Sequence, residues 1–252
     1  MASVGDGAQM SFWDHLDELR GALLRSVVCV LVLFVAGFFF KEALFDGVVL
    51  RPTRPDFWLY RLLDVDLSIN LINIDIAAQF FTHIKITFLC ALVVGFPLIV
   101  FEIWRFVAPA LYEKEKRAIR RAFALGGGLF YLGVAVGYFI VMPVLLVFFN
   151  DYSVSETVVN TFSLHSYISI FTAMVFLMGL LFEFPTVLAV LGQLGIVHRG
   201  LLRRGWRYAI MVILILAAVL TPTGDPFTML VVALPLVLLY ELSILIVPER
   251  KA

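Results

Sequence analysis

The stretch Trp104–Arg121, WRFVAPALYEKEKRAIRR, is short and charged, and it lies between two long apolar runs. It holds six of the nineteen Lys and Arg residues of the chain, together with the carboxylates of Glu113 and Glu115. In membrane proteins, short loops this rich in Lys and Arg stay on the cytoplasmic side. The stretch therefore predicts a cytoplasmic loop between two membrane spans.

The composition of the whole chain favours a bilayer as its solvent. The 252 residues are 62% hydrophobic and only 15% charged, and the mean hydropathy is +1.00. A soluble domain carries about 25% charged residues. We therefore predict an all-α polytopic membrane protein, in which Cys29 and Cys90 are small hydrophobic residues within apolar runs.

Six apolar runs predict six spans within a single membrane domain that covers residues 1–252. A helix needs about 20 residues to cross the bilayer. The last apolar region is too long for one crossing, and the turn-forming cluster Thr221–Pro226 divides it. The predicted spans are residues 22–40, 81–103, 122–149, 167–194, 208–220 and 227–247.

The predicted fifth span is unusually short. Its 13 residues rise about 20 Å, against about 30 Å of hydrocarbon. The mismatch predicts either a locally thinned bilayer or a helical hairpin that stops short of the far side.

The distribution of Lys and Arg predicts the orientation. The N-terminal segment, the second and fourth connections and the C-terminus together carry fourteen, whereas the opposite side carries four. This asymmetry places both termini in the cytoplasm. The chain opens with an acidic stretch that lacks the short apolar core typical of a cleavable signal peptide, so no such peptide is predicted.

The segment before the first span has the pattern of an amphipathic helix that begins at about Phe12. Asp14, Asp17 and Glu18 share one face of that helix. Two interpretations remain open, namely solvated acids on a surface anchor and a face that binds a cationic partner. Membrane-surface helices usually carry basic residues on their polar face.

Three of the charged residues inside predicted spans are candidates for a functional role. Glu183 is near the middle of the fourth span, Glu241 is about midway along the sixth, and Lys85 is near the start of the second. An ionised side chain at the bilayer centre costs about 2.5–3.5 kcal/mol, so Glu183 is predicted to face a wet cavity or a partner; a protonated Glu183 inside the bundle is the alternative. Lys85 can snorkel toward the outer interface, and Glu241 has either a packing role or a partner role.

The chain carries no pattern of an enzyme. Its four histidines are dispersed without metal-ligand spacing, and no nucleophile elbow or phosphate-binding glycine loop is present in the sequence. We therefore predict no catalytic residue, metal, cofactor or nucleic-acid partner.

Several segments together resemble one family, TatC, the polytopic subunit of the twin-arginine translocase. They occur in the family's order and cover essentially residues 10–247. The matching segments are His15–Arg20, Ile84–Thr87, Phe106–Arg117, Phe182–Pro185, Leu220–Pro222 with Asp225, Leu234–Pro235, and Tyr240–Glu241.

The resemblance implies a concave bundle in the cytoplasmic (inner) membrane that acts in protein transport. Such a protein receives twin-arginine signal peptides and, with small single-span subunits of the TatA/TatB type, exports folded proteins in an oligomeric complex using the proton-motive force. Membrane lipid is its other expected partner.

The same resemblance assigns candidate residues. Glu18 and Glu115 correspond to the carboxylates that recognise the signal peptide, with Arg20, Phe106, Pro109, Tyr112 and Arg117 around them. Polar or partner-binding positions within the membrane correspond to Glu183, Thr221, Asp225, Glu241 and Lys85. The sequence departs from the family pattern at Gln79 and Met229.

An alternative function is an ion-coupled small-molecule transporter that uses Glu183 as a proton relay. A passive membrane scaffold is a third class, which accounts for the spans but not for the paired acidic motifs.

Overall fold

The computed structural model describes residues 12–65, 67–108, 113–155, 157, 160–221, 225–247 and 249. Within helices, the side chains of residues 12, 14, 113–115, 117, 118 and 220 lie outside this description. The described chain is mostly helical, as predicted. The α-helices are α1 (Phe12–Phe38), α2 (Lys41–Leu44), α3 (Trp58–Leu63), α4 (Ala78–Val107), α5 (Glu113–Val136), α6 (Met142–Asp151), α7 (Leu164–Thr172), α8 (Met178–Phe182), α9 (Phe184–Gln193), α10 (Arg199–Arg204), α11 (Trp206–Leu220) and α12 (Pro226–Ile246).

Among the described residues, five helical stretches are long and apolar enough to cross a membrane, by length and composition. One π-helical turn, Gly137–Val141, joins α5 to α6, and another, Ala173–Leu177, joins α7 to α8. The five stretches are His15–Phe38, Ala78–Val107, Ile119–Asp151, Leu164–Gln193 and Pro226–Ile246. The predicted short fifth span corresponds to α11, which has 15 residues. The chain is thus a multi-pass membrane protein, whereas six crossings and the orientation of the termini remain predictions.

Helix α1 packs along α4 and exposes most of its remaining surface. Phe12, its first residue, is also the first residue that the structure describes, so the helix start predicted there stays a prediction. Exposed Leu23, Val27 and Leu31 give α1 an apolar outer face, which suits contact with lipid because a bilayer solvates such side chains. Helix α4 ends at Val107, as predicted for a helix that meets the Ala108–Pro109 pair.

The tightest helix contact joins α5 to α8 and α9. A methyl group on Gly133 would lie 2.5 Å from the carbonyl oxygen of Met178 and 2.7 Å from Cβ of Phe182. A methyl group on Gly126 would lie 2.6 Å from Oε2 of Glu183. Helices in membranes approach this closely where small residues remove the side-chain layer between them.

The segment between α1 and α4 folds over one end of the bundle. The sequence predicts a strand within Asp64–Ile76, and a two-residue strand β1 (Leu71–Ile72) forms there. It pairs in parallel with β2 (Phe162–Ser163). Two tyrosines of the bundle hold the same segment, because the hydroxyl of Tyr138 donates to the carbonyl of Val48 and that of Tyr167 donates to the carbonyl of Val49.

Buried apolar side chains form two clusters. One cluster joins the segment between α1 and α4 to α4, α6 and α7 and includes Tyr60, Ile86 and Met142. The other joins α8 and α9 to α11 and α12 and includes Ala217 and Leu236. The second cluster holds the short helix α11 against the rest of the bundle.

Candidate functional site

An ion pair joins α1 to α4. Nε and Nη2 of Arg25 donate to Oε2 of Glu102, over 2.9 and 2.7 Å. The Arg25 side chain is 45% exposed and that of Glu102 is 14% exposed. Charged residues within membrane helices usually pair with one another, so this contact fixes the register of α1 against α4.

A ring contact holds the same two helices further along. The imidazole of His15 stacks on the ring of Phe106, with centroids 4.3 Å apart and planes inclined by 19°. His15 precedes Arg25 on α1, and Phe106 follows Glu102 on α4, so the helices run antiparallel. The two contacts hold the first turns of α1 beside the end of α4.

Glu18 lies on α1 between these two contacts. Its Oε2 is buried and has no hydrogen-bond partner among the residues that the structure describes. The neighbouring charges of Asp17 and Arg20 are exposed. An unpartnered buried acceptor costs about 1–3 kcal/mol, and more when it is charged, so Glu18 is the residue here that gains most from a donor supplied by a ligand.

The other half of the predicted recognition site belongs to the loop before α5. Pro109 and Tyr112 lie outside the described residues. Glu115 and Arg117 belong to α5, but their side chains also lie outside the description. The motifs around Glu18 and Glu115 are predicted to meet if the first two spans pack side by side. Helix α1 does pack on α4.

Glu183 interrupts the helix at the position where the sequence singles it out. It lies between α8 and α9, with Pro185 in the first turn of α9. The side chain is half-buried against Gly126, and Oε1 has no hydrogen-bond partner among the described residues. The ion pairs among the described residues do not involve Glu183.

A groove of about 330 Å³ lies between α5, α9 and α12. Pro185 and Thr186 line it, and Arg121 and Gln193 are among its polar lining residues. Glu183 precedes Pro185 by two residues and is not itself among the lining residues that the structure describes.

Thr221 and Asp225 have internal bonds at the α11–α12 connection. The Thr221 hydroxyl is buried and donates to the carbonyl of Ala218 over 3.3 Å. Oδ1 of Asp225 accepts a hydrogen bond of 2.7 Å from the backbone N–H of Thr228 and so caps the N-terminus of α12. Both residues stabilise the connection itself, whatever partner the connection meets.

Glu241 and Lys85 occupy different environments. Glu241 is nearer the C-terminal end of α12 than its middle, where the sequence placed it, and it accepts a hydrogen bond from the indole N–H of Trp206. It therefore ties the start of α11 to α12. Lys85 is exposed in the second turn of α4, in keeping with a side chain that reaches the interface.

The pair of Arg25 and Glu102 is the feature that sequence reasoning missed. Both residues carried a signal, because each is a charged residue at the edge of an apolar run. Opposite charges at the ends of consecutive spans that face the same side predict a pair once the two helices are known to be neighbours.

Comparison with known proteins agrees with this architecture. Residues 14–235 match the family described as Sec-independent protein translocase protein (TatC). The Sec-independent protein translocase protein TatC of Deinococcus radiodurans is 37% identical over 240 residues, covering 95% of this chain and 86% of that protein. The TatC of Helicobacter pylori strain 26695 is 34% identical over 232 residues, covering 92% of this chain and 85% of that protein.

Two solved structures share the fold. Both are described as the Twin Arginine Translocase Receptor TatC. The structure in DDM has a TM-score of 0.78 and 31% identity, and the match covers 92% of this chain and 99% of that one. The other structure has a TM-score of 0.74 and 30% identity, and the match covers 92% of this chain and 97% of that one. None of these similarities supports the alternative prediction of a small-molecule transporter, and together they show that this chain belongs to the TatC family of Sec-independent protein translocase proteins.

Proposed function

We propose that this chain is the receptor for twin-arginine signal peptides in a translocase that exports folded proteins across the cytoplasmic membrane. The observation that carries the proposal is the buried, unpartnered Oε2 of Glu18, held between the Arg25–Glu102 ion pair and the His15–Phe106 stack. The acceptor is presented by a fixed helix and lacks a donor within the described residues.

An arginine side chain suits this acceptor. A guanidinium group offers five N–H donors in a planar fork and binds carboxylates through two parallel bonds. We propose that Glu18 binds one arginine of the signal and Glu115 binds the other, with Arg20, Phe106, Pro109, Tyr112 and Arg117 forming the surroundings. A lysine ammonium is a point charge that cannot reproduce the fork, so a twin-lysine signal binds more weakly.

The proposal includes the membrane arrangement. Six spans form a single domain, and both termini lie in the cytoplasm, where a precursor first arrives; this rests on the fourteen-to-four asymmetry of Lys and Arg. Export uses the proton-motive force, and the chain itself carries no catalytic chemistry. Labelling of a single-cysteine variant at Ser155 tests the orientation, because rapid labelling from the cytoplasmic side alone contradicts it.

Other subunits of the translocase complete the proposed assembly. Small single-span subunits and membrane lipid contact the polar positions of the membrane domain, which are Glu183, Thr221, Asp225, Glu241 and Lys85. Glu183 is half-buried and its Oε1 has no hydrogen-bond partner among the described residues, which supports a contact of this kind.

The experiment measures the affinity of a twin-arginine peptide for the protein in detergent. Glu18→Ala and Glu115→Ala are each expected to weaken binding by about tenfold or more, because a charged hydrogen bond contributes about 1.5–3 kcal/mol. Asp17→Ala is the matched control for Glu18, since Asp17 is its exposed neighbour on α1, and Glu113→Ala is the control for Glu115.

A small, equal loss in all four variants would mean that the acids act only as a diffuse negative surface. Equal affinity for the arginine and lysine peptides would argue against recognition of the guanidinium group.

A further inference from the structure

A groove between α4 and α5 is separate from the proposed peptide site. It has a volume of about 480 Å³, within the range of about 300–1,000 Å³ of small-molecule sites. Pro97, Phe101 and Trp104 line it from α4. Phe123 and Gly127 line it from α5, so most of its wall is apolar.

The mouth of the groove is basic and aromatic. Arg120 lines it, and exposed Arg105 follows the lining residue Trp104 in the sequence. The indole of Trp104 packs beside the ring of Phe123, with centroids 5.5 Å apart; tryptophan and arginine are typical of the level of lipid headgroups. Among the lining residues that the structure describes there is no carboxylate, and the acid nearest to them on α4, Glu102, is engaged by Arg25.

The length of the groove favours an acyl chain over a transmembrane helix. Trp104 and Pro97 are seven residues apart on α4, as are Arg120 and Gly127 on α5, which corresponds to about 10 Å along each helix. One leaflet of hydrocarbon is about 15 Å deep, and a partner helix crosses about 30 Å. The groove therefore ends within the leaflet that begins at Arg120.

We propose that this groove binds one anionic phospholipid of the leaflet on the side of the α4–α5 connection. Arg120 contacts the phosphate, and an acyl chain lies between Phe101 and Phe123 and along Gly127. Basic pockets between transmembrane helices bind anionic headgroups in this way. The site is independent of signal-peptide recognition, so failure of the proposed receptor function leaves it intact.

The first experiment measures lipid binding to the detergent-purified protein by native mass spectrometry. The probes are phosphatidylglycerol and phosphatidylcholine with identical acyl chains, and inorganic phosphate as competitor. Phosphatidylglycerol is expected to bind several-fold more tightly, because one basic residue near the surface favours an anionic headgroup by about fivefold. Equal affinity for the two lipids would overturn the proposal, and so would displacement of the bound lipid by millimolar phosphate, which would identify the site as one for a free anion.

Two matched pairs of variants locate the site. Arg120→Gln is expected to reduce the affinity for phosphatidylglycerol by about fivefold and to leave that for phosphatidylcholine unchanged, whereas Arg203→Gln, at an exposed base on α10, is expected to change neither. Gly127→Leu is expected to fill the groove and weaken both lipids. Gly128→Leu adds the same side chain one position away, and a methyl group at either glycine meets nothing within 4 Å.

Equal effects within either pair would show that the lipid binds elsewhere. Displacement of the lipid by a twin-arginine peptide would assign the groove to the peptide and overturn the proposal. Because wild-type selectivity between the two lipids is measured without any variant, a variant that fails to fold does not prevent the decision.

Discussion

Replacement of Gly133 by alanine is expected to destabilise the helix bundle, although alanine favours a helix over glycine. The added methyl group would lie 2.5 Å from the backbone oxygen of Met178 and 2.7 Å from Cβ and Cγ of Phe182. A backbone oxygen cannot rotate away as a side chain can, so α5 and α8 must separate. Overpacking of this kind costs about 1–3 kcal/mol.

Gly128→Ala is the matched control on the same helix. A methyl group there meets nothing within 4 Å, so this variant gains only the helix propensity of alanine, about 1 kcal/mol. Because the same gain applies to Gly133→Ala, the difference between the two variants isolates the packing term of about 1–3 kcal/mol. For a chain of this size, each kcal/mol shifts Tm by about 2–4 °C.

Thermal unfolding in detergent, followed by circular dichroism, measures that difference. Gly133→Ala is expected to unfold about 2–12 °C below Gly128→Ala. Identical unfolding temperatures for the two variants would refute the close approach of α5 to α8.

Three further predictions concern transport and binding. Glu183→Gln is expected to preserve folding and reduce export only partly, whereas Glu183→Ala reduces it more because partner donors lose their acceptor; wild-type export rates in both variants would remove this residue from the mechanism. Arg25→Ala and Glu102→Ala are each expected to weaken binding of a twin-arginine peptide, and the exchanged pair Arg25→Glu with Glu102→Arg is expected to recover part of the loss; if the exchanged protein binds no better than the single variants, the ion pair does not position α1. Four leucines inserted after Met211 are expected to impair export while membrane insertion continues, because the longer α11 matches the bilayer; normal export from that protein would count against a role for thinning.

Features set by local chemistry were predictable from the sequence. The end of α4 at Val107 follows from a proline two residues beyond the helix. The prediction of an all-helical membrane protein is confirmed by the similarity to solved structures. It could be made because the composition distinguishes a bilayer from water as the solvent.

Features that depend on which surfaces meet were not predictable in the same way. Alternating apolar residues indicate a strand within Asp64–Ile76, but only Leu71 and Ile72 find a partner strand, and that partner comes from a distant part of the chain. The Arg25–Glu102 pair likewise requires the relative register of two helices, which one sequence does not specify.

Asp225 has a local role in addition to its predicted one. Its match to a family motif predicts a partner-binding position, which stays a prediction, and in the structure its Oδ1 is the N-cap of α12. Asp followed by Pro226 at the first helical position is a helix-start pattern in its own right, so residue chemistry alone could have identified this role.

The pairing of β1 with β2 has a consequence for the order of assembly during synthesis. Leu71 leaves the ribosome about 90 residues before Phe162, its partner. At about 5–20 residues per second, this interval is about 5–20 s. During it, the segment before α4 lacks both its partner strand and the hydroxyl of Tyr167 that later holds Val49. Closure of this segment is therefore a late step of biogenesis, and a chain arrested before Phe162 would leave the segment open to protease.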